Sequence, residues 1–392
     1  MPQPQLPLEL LGKILEDACT AVDVREGRQI CLAFCLVSKT FAAVARRKLY
    51  REVALDFSDG GDLVPFQLVA RSERVFLSIT SSPHLASLVS SLRLRGSSFG
   101  SLTAVEVALA ALLEACANIR MLTMEATNPF QGGSAEALNI ERMVAGLGSR
   151  LKSLEISRPS SDEAGLNALL QPLTCLEYLK LGHHWNLWFD GAVPLDASFQ
   201  APSFRLQHFS SPSPVEPKLL DILIQSSHPT LESLAFHWVQ FEQDHDFSPF
   251  VALRTLELTN LEDLRHAHAI RLLLQSVGSC SGLIELRLSP IIRYSDFSIA
   301  ELDEYRPLQH LPSSLRGLHA PKTFLLSTKY LLDFLSDLSC LPNLELLDVD
   351  RQLRDEQQRP IERSEAEVEA VKLALDGRRG LSMNWSEEGG KQ

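Results

Sequence analysis

The hexapeptide "LRTLEL", Leu253–Leu258, carries leucine at its first, fourth and sixth positions. Its last two leucines are one residue apart, the spacing that puts two side chains on one face of a β-strand. A strand this short buries its apolar face only against neighbours, so the pattern has meaning if it repeats. It does: "IRMLTM" (119–124), "LKSLEI" (151–156), "LEYLKL" (176–181), "LESLAF" (231–236), "LIELRL" (283–288) and "LELLDV" (344–349) match it closely. "VSSLRL" (89–94), "LQHFSS" (206–211) and "LRGLHA" (315–320) match it more loosely. The central apolar residues, from Leu92 to Leu347, follow one another at intervals of 22 to 32 residues. Regular recurrence at that period is the signature of a stacked repeat architecture.

The stretches between copies have helical spacing, as in "LTAVEVALAALLEACA" (102–117), "PKLLDILIQSS" (217–227), "AIRLLLQSVGSC" (269–280) and "TKYLLDFLSDLSCL" (328–341). Strands alternating with helices predict parallel pairing through crossover connections. The expected fold class is therefore α/β: a solenoid with strands on its concave face and helices on its convex face. "IERSEAEVEAVKLAL" predicts a last helix, and "GLSMNW" a last strand.

The chain has 392 residues, 45% of them hydrophobic and 22% charged, enough apolar material for a large core. Its 37 Lys and Arg against 49 Asp and Glu give a net charge of −12. An acidic surface disfavours nucleic acid and anionic membrane as partners. Glu9, Lys13 and Glu16 interrupt the first apolar run, unlike a secretory leader, and no apolar run is long enough to span a bilayer. The seven cysteines lack a C-x-x-C pair or other zinc spacing and are expected to be buried thiols of a cytoplasmic or nuclear protein.

The first fifty residues read differently. Pro7 suits a first helical turn, and Leu10, Leu11, Ile14, Leu15 and Ala18 follow at helical spacing. "QICLAFCLV" gives a second apolar segment, and Ser38 is a candidate N-cap for a third helix, "KTFAAVARRKLYREV". Three short helices form a marginal unit by themselves. The run Leu6-Pro7-x-Glu9-Leu10-Leu11-x-x-Ile14-Leu15, then Leu32-x-x-x-Leu36-Val37-Ser38-Lys39-x-Phe41, then Arg47-x-Leu49-Tyr50 resembles an F-box over residues 5–51. The following repeats, over 75–385, resemble the leucine-rich repeats of F-box proteins, fungal ones in particular. They depart in one respect: the Asn or Cys that follows the third leucine is missing from most copies, with Pro159 and Leu261 in its place in two of them. Residues 52–74 are expected to be a linker or first capping segment, and 386–392 a disordered tail.

The resemblance implies a substrate-recruiting, non-catalytic subunit of an SCF-type ubiquitin ligase. It implies docking to the Skp1 adaptor, and through it to a cullin, with Leu6, Pro7, Leu10, Ile14, Leu15, Leu32, Leu36, Val37 and Phe41 facing the adaptor. The alternative is an interaction scaffold acting outside a ligase. For an unidentified protein substrate, period-two alternation turns Arg93, Arg95, Glu125, Lys180, His237, Glu257 and Arg287 outward from the strands. The insertion "HHWNLWFDGAVPLDASFQAPSF" (183–204) adds Trp185 and Trp188 as aromatic candidates, unless its aromatics fold back onto the core. No cofactor or metal is expected: His183 and His184 are adjacent, and "FEQDHDF" (241–247) lacks the spacing of a calcium loop. No nucleotide-binding, metalloprotease or serine-hydrolase motif occurs.

Overall fold

Each hexad leucine meets its counterpart in the next hexad. In the computed structural model of the chain, Leu234 pairs in register with Leu256, Leu256 with Leu286, Leu286 with Leu318, and Leu318 with Leu347. The structure describes residues 7–20, 24–58, 67–68, 70–96, 103–126, 143–156, 163–182, 200–215, 217–237, 247–259, 267–288, 306–320, 326–350, 352–354, 360–378 and 380–386. It divides into two compact units, Met1–Leu176 and Glu177–Gln392.

The first unit begins with three helices, α1 (Leu8–Thr20), α2 (Val24–Val37) and α3 (Lys39–Arg51). Ser38 caps α3 as its residue type predicts, its Oγ accepting the Phe41 N–H at 3.3 Å. Leu15, Cys31 and Ala45 form the centre of the helical packing, with Ile30, Phe34, Val44 and Leu49 around them. The chain passes without a linker from α3 into β1 (Glu52–Ser58), which pairs with β2 (Gln67–Leu68) antiparallel and with β3 (Ser91–Gly96) parallel. β4 (Met121–Ala126) and β5 (Ser153–Ile156) extend the parallel row. Val53, placed on the third helix by its spacing, instead lies on β1 opposite Leu92. Residues 52–74 thus contain a strand of the sheet and the start of α4 (Ala70–Thr80), which is followed by α5 (Pro83–Ala86), α6 (Thr103–Ala115) and α7 (Glu163–Leu170).

The second unit runs through β6 (Tyr178–Leu181), β7 (His208–Pro214), β8 (Ser233–His237), β9 (Thr255–Thr259), β10 (Glu285–Leu288), β11 (Gly317–Ala320) and β12 (Leu346–Asp350), each parallel to the next. A hairpin, β13 (Gln352–Arg354) and β14 (Pro360–Glu362), intervenes before β15 (Ser382–Ser386) joins β12 in parallel. Its helices are α8 (Pro217–Ile224), α9 (Ala267–Gly278), α10 (Thr328–Ser336) and α11 (Glu365–Asp376). Within the strands burial alternates, as in β8 and β9, so one face meets the core and the other meets solvent. The register of β7 against β8 shifts between Ser211 and Pro214, where Pro212 and Pro214 supply no N–H.

Backbone hydrogen bonds join successive repeats at the strand starts. Where most described strands begin, one carbonyl accepts two successive N–H groups from the next repeat. In the first unit Ser90 O accepts from Arg120 and Met121, and Arg120 O from Lys152 and Ser153. In the second, the carbonyls of Glu177, Gln207, Glu232, Arg254, Ile284 and Arg316 do the same, at 2.7 to 3.1 Å. At the far end Glu345 O takes the N–H and the hydroxyl of Ser382. The first apolar residue of most copies closes a tight turn before the strand, as Ile119 N does on Cys116 O and Leu253 N on Phe250 O. Side chains add cross-repeat bonds: Asn118 Nδ2 donates to Ser87 O and Asn343 Nδ2 to Ser313 O.

Two buried arginines secure the last helix. Arg363, just before α11, donates through Nη1 to Thr328 Oγ1 at 2.7 Å and through Nη2 to Leu326 O. Thr328 in turn donates to Glu367, whose carboxylate closes a capping box with Ser364. Arg378, after α11, donates to the carbonyls of Phe334, Cys340 and Leu341 and lies 4.5 Å over the Phe334 ring. It thereby satisfies backbone oxygens of a turn in which Leu341 has a positive φ of 49°.

Three stability outcomes follow from this packing. Leu286→Ala, at a side chain with 0% exposure, is expected to cost about 2–5 kcal/mol in denaturant unfolding. Arg378→Met keeps most of the volume but strips the buried carbonyls of their donor, and is expected to cost about 3 kcal/mol. His228 packs edge-on against Phe250 at 4.6 Å, and burial pushes its pKa below the usual value while Asp221 partly opposes this. The unfolded chain therefore takes up a proton that the folded chain resists. The stability is full above about pH 6.5 and is lost as pH falls below it. Stability measured between pH 7 and pH 5 is expected to fall less in His228→Asn than in the wild type.

Candidate interaction surfaces

The nine residues expected to face an adaptor divide by their position on the helices. Leu10 and Ile14, four apart on α1, are both about half exposed, at 49% and 48%. Leu32, Leu36 and Val37 on α2 are more open, Leu36 reaching 88%. Pro7 is exposed, and Phe41 is half-buried with its ring 5.2 Å from that of Phe34. Leu15, at 1% exposure, lies in the core of the three-helix unit rather than on its surface. Adjacent residues of a helix are rotated by about 100°, so Leu11 and Leu15 turn inward while Leu10 and Ile14 turn outward. Leu6 lies outside the described residues.

On the first unit's strand face the registers bring together three of the expected residues. Glu125 on β4 stands opposite Arg95 on β3. Its two carboxylate oxygens take Arg93 Nε at 3.3 Å and Arg95 Nε at 2.8 Å. All three side chains are at least one-third exposed, which limits each pair to about 0.2–1 kcal/mol. Asp56 lies opposite Arg95 on the other flank. The cluster balances its own charges and stays open to solvent.

On the second unit Lys180, Glu257 and Arg287 share one row of the sheet, with Ser210 and Ala235 between Lys180 and Glu257. His237 lies further along β8, opposite Thr259. The strongest polar contacts here involve two residues that the repeat pattern did not single out. Glu285 Oε1 receives Arg287 Nη2 at 2.7 Å and sits 3.3 Å from His319 Nε2. Asp348 Oδ2 lies 3.7 Å from His319 Nδ1. Alternation alone puts Glu285 on the same face as Arg287. His319 was hidden because its copy, "LRGLHA", ends in alanine rather than leucine. At the other end of the face Tyr178 and His208 place their rings 5.9 Å apart.

Trp185 and Trp188 lie outside the described residues, as do His183, His184 and most of 241–247. The end of that insertion is described, and Phe204 is fully buried there. Among the described residues no group of three His, Cys, Asp or Glu side chains is arranged to hold a metal ion. Among them, too, no helix is long and apolar enough to cross a membrane. A pocket of about 450 Å³ opens on the helix side of the second unit, lined by Leu220, Ile224, His228, Phe236 and Phe250.

No protein-family profile matches the chain, and no curated protein matches it. Among solved structures it is similar to the leucine-rich repeat-containing protein LegL7 from Legionella pneumophila, with 15% identity over 83% of this chain and 98% of that one, and a TM-score of 0.44.

Proposed function

We propose that the chain is a non-catalytic interaction protein. Its three-helix unit docks the Skp1 adaptor of a cullin-RING ubiquitin ligase, and its strand faces receive a protein target. The observation that carries this reading is the apolar surface left over once the helices have built their own core. Leu10, Ile14, Leu32, Leu36 and Val37 stay in solvent while Leu11, Leu15 and Cys31 are buried. These exposed positions coincide with apolar positions of the F-box-like run. Each such side chain is worth about 1.5–3 kcal/mol when removed from water, so together they suit a stable interface.

The strand faces support the second half of the reading. They present paired charges and rings on short rigid strands, which hold side chains in place for recognition. In this scheme the ubiquitin-transfer chemistry belongs to other subunits. This chain raises the effective concentration of a bound target beside them.

The test is co-expression of the full chain with Skp1 and measurement of their affinity. The wild type is expected to bind, and the Leu10→Asp, Ile14→Asp double variant to bind at least about 100-fold more weakly, since hot-spot side chains are each worth about 2 kcal/mol or more. The variant's thermal unfolding is expected to stay near that of the wild type, because both residues are outside the core. Equal binding by the two proteins would refute the assigned surface. A Skp1 complex that never recruits a cullin would point instead to an interaction scaffold acting outside a ligase.

A further inference from the structure

Two thiols meet inside the three-helix unit. Cys19, near the end of α1, and Cys31, on α2, have their Sγ atoms 3.6 Å apart. Cys31 is only 2% exposed and belongs to the core with Leu15 and Ala45, whereas Cys19 is partly open to solvent. The backbone holds Cys19 in place. Its thiol donates to Gly27 O at 3.4 Å, and Gly27 is buried against it. A Cβ at Gly27 would stand 3.4 Å from the Cys19 carbonyl oxygen and 3.5 Å from its Cβ. α2 therefore runs close against the end of α1, and the gap between the two sulfurs is short. A disulfide needs about 2.05 Å, so an approach of about 1.5 Å closes it.

We propose that Cys19 and Cys31 form an oxidation site, converted by a hydroperoxide into an intramolecular disulfide that staples α1 to α2. The partly open thiol reacts first. Cys19 Sγ attacks the peroxide oxygen, the O–O bond breaks, an alcohol or water leaves, and Cys19 becomes a sulfenic acid. Cys31 Sγ then attacks the Cys19 sulfur, the S–O bond breaks, and water leaves with the proton of the Cys31 thiol. The peroxide is reduced by two electrons and the two thiols are oxidised by two. The order follows from burial: Cys31 is hidden from a dissolved oxidant, and its desolvation pushes its pKa up to about 12, so it is the less reactive thiol of the two toward the oxidant. Cys35 packs against the same core and is the competing thiol. The inference stands on these contacts alone and is independent of which partner the unit docks.

The experiment treats the reduced full-length chain with hydrogen peroxide, blocks the remaining thiols and maps the tryptic peptides. Cleavage at Arg25 and Arg28 separates the two cysteines, so a disulfide joins a peptide ending at Arg25 to one beginning at Gln29. Fragmentation then assigns the second sulfur to Cys31 or Cys35. The expected product is the Cys19–Cys31 link, reversed by thiol reductant. In Cys31→Ser, dimedone labelling of Cys19 is expected to rise several-fold, because the sulfenic acid loses its resolving partner. Three results overturn the proposal: Cys175, which is exposed, is oxidised while Cys19 and Cys31 stay unlinked; Cys19 advances to sulfinic acid beside a free Cys31; or the link falls on Cys35. The wild-type map decides among them even if the variant fails to fold.

Discussion

One carbonyl at the start of most described strands, accepting two N–H groups from the next repeat, is the contact on which both units depend. It fixes where the chain stops turning and starts to extend, and it fixes the register of the strand that follows. Because donor and acceptor are backbone atoms, the joint asks for no particular side chain. Ser90, Arg120, Glu232 and Ile284 all serve equally as acceptors. This fits repeat lengths that vary from 22 to 32 residues while the described strands stay aligned. Leucine burial then acts on strands that are already aligned, and drives the stack by the apolar area it removes from water.

The parallel repeat architecture was legible because it is written in apolar spacing. The copies at Leu122 and Leu154 lie on parallel strands of the first unit, and those at Leu179, Leu234, Leu256, Leu286 and Leu347 on parallel strands of the second. What escaped reading lacked such spacing. β1 alternates Val53, Leu55 and Phe57, but it follows α3 directly with no leucine turn before it, so it passed for the end of a helix and a linker. The β13–β14 hairpin carries no turn signature that sets it apart. Arg363 and Arg378 look like surface residues of a charged helix. Their burial is decided by groups at both ends of α10, the Leu326 carbonyl and Thr328 hydroxyl for Arg363 and the carbonyls of Phe334, Cys340 and Leu341 for Arg378, which no local pattern announces. The interaction surfaces were legible by face and not by contact. Period-two alternation gave Arg93, Arg95 and Glu125, while the grouping of Glu285, His319 and Asp348 depends on strand order.

In the three-helix unit the same code carries two messages. Leu10, Leu11, Ile14 and Leu15 read as one sticky helix, yet they divide into two stripes. One stripe holds the helices together, and the other is left in water. The unit therefore leaves part of its apolar surface uncovered. Its short helices gain further support from direct continuation into β1, so that α3 ends where the sheet begins.

The prolines of β7 bear on how the second unit comes apart. In a stack of repeats, cooperativity is the product of nearest-neighbour couplings, and a break in one coupling limits how far order spreads along the array. The bulge between Ser211 and Pro214 thins the ladder on a strand that is otherwise paired on both sides. Thermal fluctuations that open the second unit thus have a preferred starting point. The repeats beyond it, from β8 to β15, can retain their mutual order while β6 and β7 exchange with solvent.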